Sequence, residues 1–256
     1  MISGASFNLF LIVIAVVAVL VFVSLFYVDA GYGKFYNPKW GRSVDNHLGW
    51  FLMEAPVFIV MLALWWFSER RDDVVRLCFL LIFELHYFHR SFLFPLQLRG
   101  HNRMPLAIIL MGVLFNTLNA LMQGGWIFYV SPADYYPEGW LTSLPFIAGT
   151  AIFFIGMFVN IQSDSIIRNL RKPGDTAHYL PQGGMFRYVA SANYFGEFLE
   201  WVGFAILTWS WAGAVFALWT FANLAPRAAR IHDRYAHEFP EQFDSAKVKR
   251  IIPFIY

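Results

Sequence analysis

The 256-residue chain has a single cysteine, Cys78, which excludes an internal disulfide and any metal or iron–sulfur site built from several thiolates. Cys78 lies in an apolar run, where a free thiol behaves as a small hydrophobe. Charge is scarce as well. Asp, Glu, Lys and Arg make up 14% of the residues, where a soluble domain carries about a quarter. The net charge is only +2, and neither a nucleic acid nor an obligate protein partner is expected. No G-x-G-x-x-G follows a strand pattern, so a Rossmann fingerprint is missing. Of the seven histidines only His86 and His89 stand close together, beside Glu84. Membrane di-iron enzymes need several His-rich boxes, so no metal site is expected. No internal repeat, low-complexity segment or linker interrupts the chain, and one domain over 1–256 is the simplest reading.

What the chain has in quantity is apolar length. Hydrophobic residues make up 58%, and mean hydropathy is +0.50. Apolar segments at about 6–28, 47–68, 74–95, 105–130 and 143–161 are each near the ~20 residues that cross a bilayer. The first lacks a basic leader and a small-residue cleavage site, and reads as a retained helix rather than a signal peptide. The stretch 189–226 is longer than one span needs and is interrupted at Trp209-Ser210-Trp211-Ala212-Gly213. It reads as one long helix or a tight hairpin of two. Charge separates these. With seven spans, sixteen of the 19 basic residues fall on one side, leaving only Arg70, Arg71 and Arg76 on the other. Six spans would move the basic C-terminus to the opposite side. The positive-inside rule therefore favours an all-α polytopic membrane protein with seven transmembrane helices. The last two would run about 189–208 and 211–230, with the N-terminus outside and the C-terminus cytoplasmic.

Ionisable groups inside spans are expensive and mark function. Glu54 lies in Trp50-Phe51-Leu52-Met53-Glu54-Ala55-Pro56, where Pro56 loosens the helix because it has no N–H. The third span ends in Glu84-Leu85-His86-Tyr87-Phe88-His89-Arg90, and Glu84 and Tyr87 share a face. Other polar residues form stripes at helical spacing: Asn160, Asp164, Arg168 and Arg171; Asn193, Glu197 and Glu200; Asn223, Arg227, Arg230 and Arg234; Asn116, Asn119 and Gln123. At 1.5 Å rise per residue, Glu54 is ~10 Å and Tyr87 ~12 Å from the cytoplasmic edge. Glu197 reaches a similar depth, and Asn160 and Asn223 lie near the cytoplasmic ends of their spans. These positions point to one cavity in the cytoplasmic half, with a basic mouth suited to the phosphates of a cofactor.

These motifs resemble the steroid 5α-reductase family over nearly the whole chain. The resemblance is carried by Glu54-Ala55-Pro56, His86-Tyr87-Phe88-His89-Arg90, Asn160-Ile161-Gln162-Ser163-Asp164 and Leu170-Arg171-Lys172-Pro173-Gly174. It continues through Pro181-Gln182-Gly183-Gly184-Met185-Phe186, Ala192-Asn193-Tyr194-Phe195-Gly196-Glu197 and Ile252-Pro253-Phe254-Ile255-Tyr256. It implies a seven-span reductase that takes hydride from NADPH. By resemblance Glu54 and Tyr87 form the pair at the 3-keto oxygen of an apolar enone, such as a Δ4-3-ketosteroid, that enters from the membrane lipids. Asn160, Asp164, Arg168, Arg171, Tyr179, Asn193, Glu197, Arg227, His232, Tyr235 and Arg103 would bind NADPH on the cytoplasmic side. Reductases of other lipid enones or polyprenols are sibling readings. A membrane methyltransferase of the isoprenylcysteine type, using S-adenosylmethionine, is a more distant one. Such proteins carry Arg-His-Pro where this chain has Ser191-Ala192-Asn193.

Overall fold

A computed structural model describes residues 4–28, 36–100, 102–170 and 177–256. The chain is mostly helical. Among the described residues, five helical stretches are long and apolar enough to cross a membrane: Gly4–Ser24, Asn46–Trp66, Val74–Gln97, Leu106–Val130 and Leu144–Asn169. Their apolar side chains are exposed in rows, as with Leu9, Ile12, Val16 and Leu20 on the first. In water such rows would be unfavourable, whereas lipid tails solvate them.

The chain divides into two compact units. Residues 1–13 and 29–146 form the first, and residues 14–28 and 147–256 the second, so helix α1 (Gly4–Ser24) contributes to both.

The first unit is built on α2 (Asn46–Trp66), α3 (Val74–Phe88) and α5 (Leu106–Gly124). Asp45 caps α2 by accepting from the His47 N–H, and Asp73 caps α3 by accepting from the Arg76 N–H. Past α3 the chain makes a π-helical turn, His89–Leu93, before the short helix α4 (Phe94–Gln97). Pro95 cannot donate to the carbonyl four residues back, and a widened turn absorbs that loss. A second π-helical turn, Gly125–Val130, extends α5.

Two three-residue strands, not foreseen from the sequence, pair antiparallel: β1 (Ser43–Asp45) and β2 (Arg103–Pro105), with Val44 opposite Met104. They lead directly into α2 and α5, whose contacts advance in the same direction, Gly49 against Met104 and then Met53 against Gly112. The close approach continues down the pair. A Cβ on Gly112 would lie 2.1 Å from Met53 Cγ, and one on Gly124 2.7 Å from Leu64 Cδ1. At the far end Arg76 is buried and donates to the carbonyls of Ile127 and Pro132, pairs with Asp73 and lies over the Tyr136 ring.

The second unit is built on α6 (Leu144–Asn169), α7 (Ala192–Thr208) and α8 (Trp211–Glu238). The structure resolves the reading of 189–226 in favour of two helices. Trp209 adopts a left-handed conformation (φ 45°) and ends α7, and the Ser210 hydroxyl caps α8 by accepting from the Gly213 N–H. α6 continues to Asn169, past the expected end at 161, because the polar stripe beyond Asn160 is itself helical. Gly149 and Gly156 on α6 meet Gly203 and Gly196 on α7. A Cβ at any of the four would fall within 2.3–2.5 Å of a backbone atom of the other helix. Small residues at seven-residue spacing thus bring the two backbones together. α8 returns along α7, with Trp201 edge-on to Phe216 at 4.6 Å. The C-terminal segment returns to the start of α7, where the Ala190 N–H donates to the Lys249 carbonyl and the Lys249 N–H to that of Tyr188.

Candidate active site

Within the first unit, α2, α3 and α5 bury several polar side chains, four of which meet in pairs. Glu54, Tyr87, Asn116 and Asn119 are all buried. Asn116 Nδ2 donates to the Met53 carbonyl at 2.8 Å and to Glu54 Oε2 at 3.1 Å. One turn on, Asn119 Nδ2 donates to the Tyr87 hydroxyl oxygen at 2.8 Å. The Tyr87 ring is fixed between Phe83, at 4.8 Å between centroids, and the edge-on ring of His86 at 4.9 Å. Pro56, inside α2, cannot donate to the Leu52 carbonyl, and in the same turn the Met53 carbonyl accepts from the Asn116 side chain. Glu84, on the same face as Tyr87, is buried, and neither carboxyl oxygen has a hydrogen-bond partner among the described residues.

Within the second unit the polar stripes interlock. Asn160 Nδ2 donates to the Asn193 carbonyl at 2.9 Å, and Asn193 Nδ2 donates to Asp164 Oδ1 at 3.0 Å. Arg227 Nε donates to the Tyr194 hydroxyl at 2.7 Å, tying α8 to α7. Arg234 Nε donates to Glu238 Oε1 at 2.7 Å, and its Nη2 meets His178 Nδ1 at 2.7 Å. Desolvation is the largest single influence on the Glu238 carboxyl and raises its pKa, but the hydrogen bonds and charges of Arg234 and His178 together outweigh it and hold it below the usual value. A cavity of about 340 Å³ is lined by Leu180, Gln182, Arg187, Tyr235 and Phe243 among others.

A family model described as 3-oxo-5-alpha-steroid 4-dehydrogenase matches residues 102–256. The chain belongs to that family. It is an oxidoreductase acting on CH–CH groups. Individual relatives extend the match upstream through Glu54 and Tyr87. Steroid 5-alpha-reductase DET2 of Gossypium hirsutum is 37% identical over 256 residues, which cover 98% of this chain and 97% of the relative. The 3-oxo-5-alpha-steroid 4-dehydrogenase 1 of Mus musculus is 39% identical over 241 residues, 93% of this chain and 92% of its own. The Homo sapiens protein of the same name is 39% identical over 231 residues, 88% and 86% of the two chains.

Among this family member's expected site residues, Glu54 and Tyr87 are both buried and each meets an amide of α5, and Asn160, Asp164 and Asn193 are joined by hydrogen bonds. Arg227 is tied to Tyr194, and Arg168 and Glu197 are half-buried in the second unit. Tyr235 is buried against Phe239 and Phe243, and His232 Nε2 is within 3.0 Å of the Val248 carbonyl. Tyr179 is exposed. Arg103 belongs to the first unit, on β2, where it donates to the Ser43 carbonyl at 2.9 Å. Arg171 lies outside the described residues. The sequence marked Asn116 and Asn119 only as part of a polar stripe. Its signal was three amides at helical spacing in a span, but spacing does not say which neighbour they face.

Proposed function

We propose that this protein reduces the Δ4 double bond of 3-oxo-Δ4-steroids to 5α-dihydrosteroids, with NADPH as hydride donor. The carrying observation is the buried cluster of Glu54, Tyr87, Asn116 and Asn119 in helices whose outer faces are apolar, in a chain whose relatives bear the names of this reaction. The enone end of a 3-oxo-Δ4-steroid carries one hydrogen-bond acceptor, its 3-oxygen, and needs polar groups there. Tyr87 and Glu54 form the pair at that oxygen. As carbon 5 is reduced, negative charge gathers on the 3-oxygen, and the Tyr87 O–H donates to it. A preorganised donor aimed at developing charge contributes about 2.7–4 kcal/mol to the barrier reduction. A proton added at carbon 4 completes the reduction.

The polar groups of the second unit fit a phosphorylated dinucleotide. Ser163 and Ser191 are buried, and their hydroxyls have no partner among the described residues. They neighbour Asp164 and Asn193 in sequence, the two residues joined by a side-chain hydrogen bond. Buried hydroxyls left open in this way suit a polar ligand. Asn160, Asp164, Asn193 and Glu197 would hold its ribose and amide groups. Arg168, Arg171 and Arg227 would hold phosphates, including the 2′-phosphate that separates NADPH from NADH. Tyr179, His232, Tyr235 and Arg103 complete the proposed set. When bound, NADPH supplies the hydride for carbon 5.

α7 and α8 are proposed as the sixth and seventh spans, with the N-terminus outside and the C-terminus and cofactor site cytoplasmic. The uneven division of basic residues supports that orientation. The test is NADPH oxidation by detergent-purified protein against 3-oxo-Δ4-steroids, other lipid enones and polyprenols. Turnover with the steroids is expected. Turnover with polyprenols alone would reassign the substrate, and none with any enone would remove the reading.

A further inference from the structure

The stripe on α5 is an unexpected use of amides. Gly112, Asn116, Asn119 and Gln123 recur at i, i+4, i+7 and i+11, one face of a helix otherwise composed for lipid. Apolar residues there would be less costly in a bilayer. Gly112 lets α5 approach Met53 so closely that no Cβ would fit, and at that separation a side chain as short as asparagine reaches α2. Asn119, 1% exposed, reaches Tyr87, 3% exposed.

The direction of the Asn119 bond matters more than its existence. An amide NH₂ only donates, while a phenol oxygen can accept and donate at once. Asn119 Nδ2 gives its hydrogen to Tyr87 Oη, so this bond does not consume the phenolic hydrogen. We propose that Asn119 is a positioning residue for the reduction: it orients the Tyr87 hydroxyl and supports the charge that builds on Oη as the phenol gives its hydrogen to the substrate oxygen. Asn116 plays the matching part for Glu54, fixing Oε2 from the same face of α5. This inference rests on the reading of Tyr87 and Glu54 as the polarising pair.

The Asn119 bond strengthens as Oη becomes more negative, so its loss falls on kcat rather than on KM. Charge-assisted bonds between buried partners are strong enough for about a 10- to 100-fold effect on rate. Because Asn119 acts only through the hydroxyl, its effect vanishes when the hydroxyl is absent. Packing would persist in both backgrounds.

The experiment is a double-mutant cycle on purified protein with NADPH and testosterone, read by single-turnover rates and by KM. Asn119→Leu keeps the volume of the side chain, and Asn119→Ala is a smaller second variant in case leucine blocks folding. The expected result is a kcat lowered about 10- to 100-fold with KM changed less than about threefold. Neither Asn119 substitution slows Tyr87→Phe further. Equal losses in both backgrounds would overturn the proposal in favour of packing. Wild-type rates in the Asn119 variants beside an impaired Tyr87→Phe would overturn it while leaving the function intact. A wild-type rate in Tyr87→Phe would overturn both.

Discussion

Asn119 donates a 2.8 Å hydrogen bond from α5 to the hydroxyl of Tyr87 on α3, and both side chains are buried. One turn back along the same face, Asn116 holds Glu54 of α2. Two parts of a polar site, carried on separate helices, are thus referred to one rigid element. The β1–β2 pairing joins the segments that lead into α2 and α5.

The first prediction concerns the pair itself. Tyr87→Phe removes the donor and leaves the ring contacts with Phe83 and His86 in place. Turnover of testosterone should fall by about 10²–10³, as when a preorganised donor is lost from an oxyanion site. Glu54→Gln should fall in the same sense, and the melting temperature of each in detergent should stay near that of wild type. Initial-rate kinetics with NADPH in excess checks both.

A second prediction follows from the glycine seam. A Cβ at Gly196 would sit 2.4 Å from the Asn160 N and 2.7 Å from the Gly156 carbonyl. Gly196→Ala must therefore push α6 from α7, at a cost of about 1–3 kcal/mol in overpacking. It also displaces Asn160 from the Asn193 carbonyl it now reaches at 2.9 Å. Thermal melts should show the lower stability, and KM for NADPH should rise several-fold while KM for steroid changes little. An unchanged melting curve would contradict the packing described.

Glu84 gives a third. A buried carboxyl with no hydrogen-bond partner among the described residues is a net cost of about 1–3 kcal/mol. Glu84→Leu should raise the melting temperature in detergent. A lower melting temperature would mean that the carboxyl is bonded in the folded protein.

The pH dependence comes from the loop after α5. Burial pushes the Tyr136 phenol above its ordinary value of 10.0, and neither the hydrogen bond from Trp126 nor the nearby Arg76 charge reverses this. A group whose folded value is raised contributes stability that is fully present below its unfolded value and is lost as pH rises toward the folded one. Melting temperature should hold steady up to about pH 10 and decline above it. Tyr136→Phe should make that decline shallower. An identical alkaline decline in Tyr136→Phe would contradict the assignment.

The helices of this protein were legible where apolar length alone decides, as in Asn46–Trp66 and Leu106–Val130. The break at Trp209 was visible as an interruption, but only the left-handed conformation and the Ser210 cap make it two helices. Strands as short as Ser43–Asp45 carry too few residues to show alternation, so β1 and β2 could not be read. The same limit applies to the site. Depth counting brought Glu54 and Tyr87 to one level, because rise per residue is fixed. Which side chain meets which depends on how each helix is rotated, and that is set by contacts such as Gly112 against Met53. Hence the amides of α5 were visible as a stripe but not as partners of Glu54 and Tyr87.

The central claim is that hydride moves from NADPH to carbon 5 of a 3-oxo-Δ4-steroid. Incubating purified protein with testosterone and NADPH deuterated at both C4 positions of the nicotinamide, then locating the label by NMR, tests it most directly. The account predicts a 5α-dihydro product with deuterium at carbon 5 and hydrogen from solvent at carbon 4. Deuterium at carbon 4, or no transfer of label to the steroid, would contradict it.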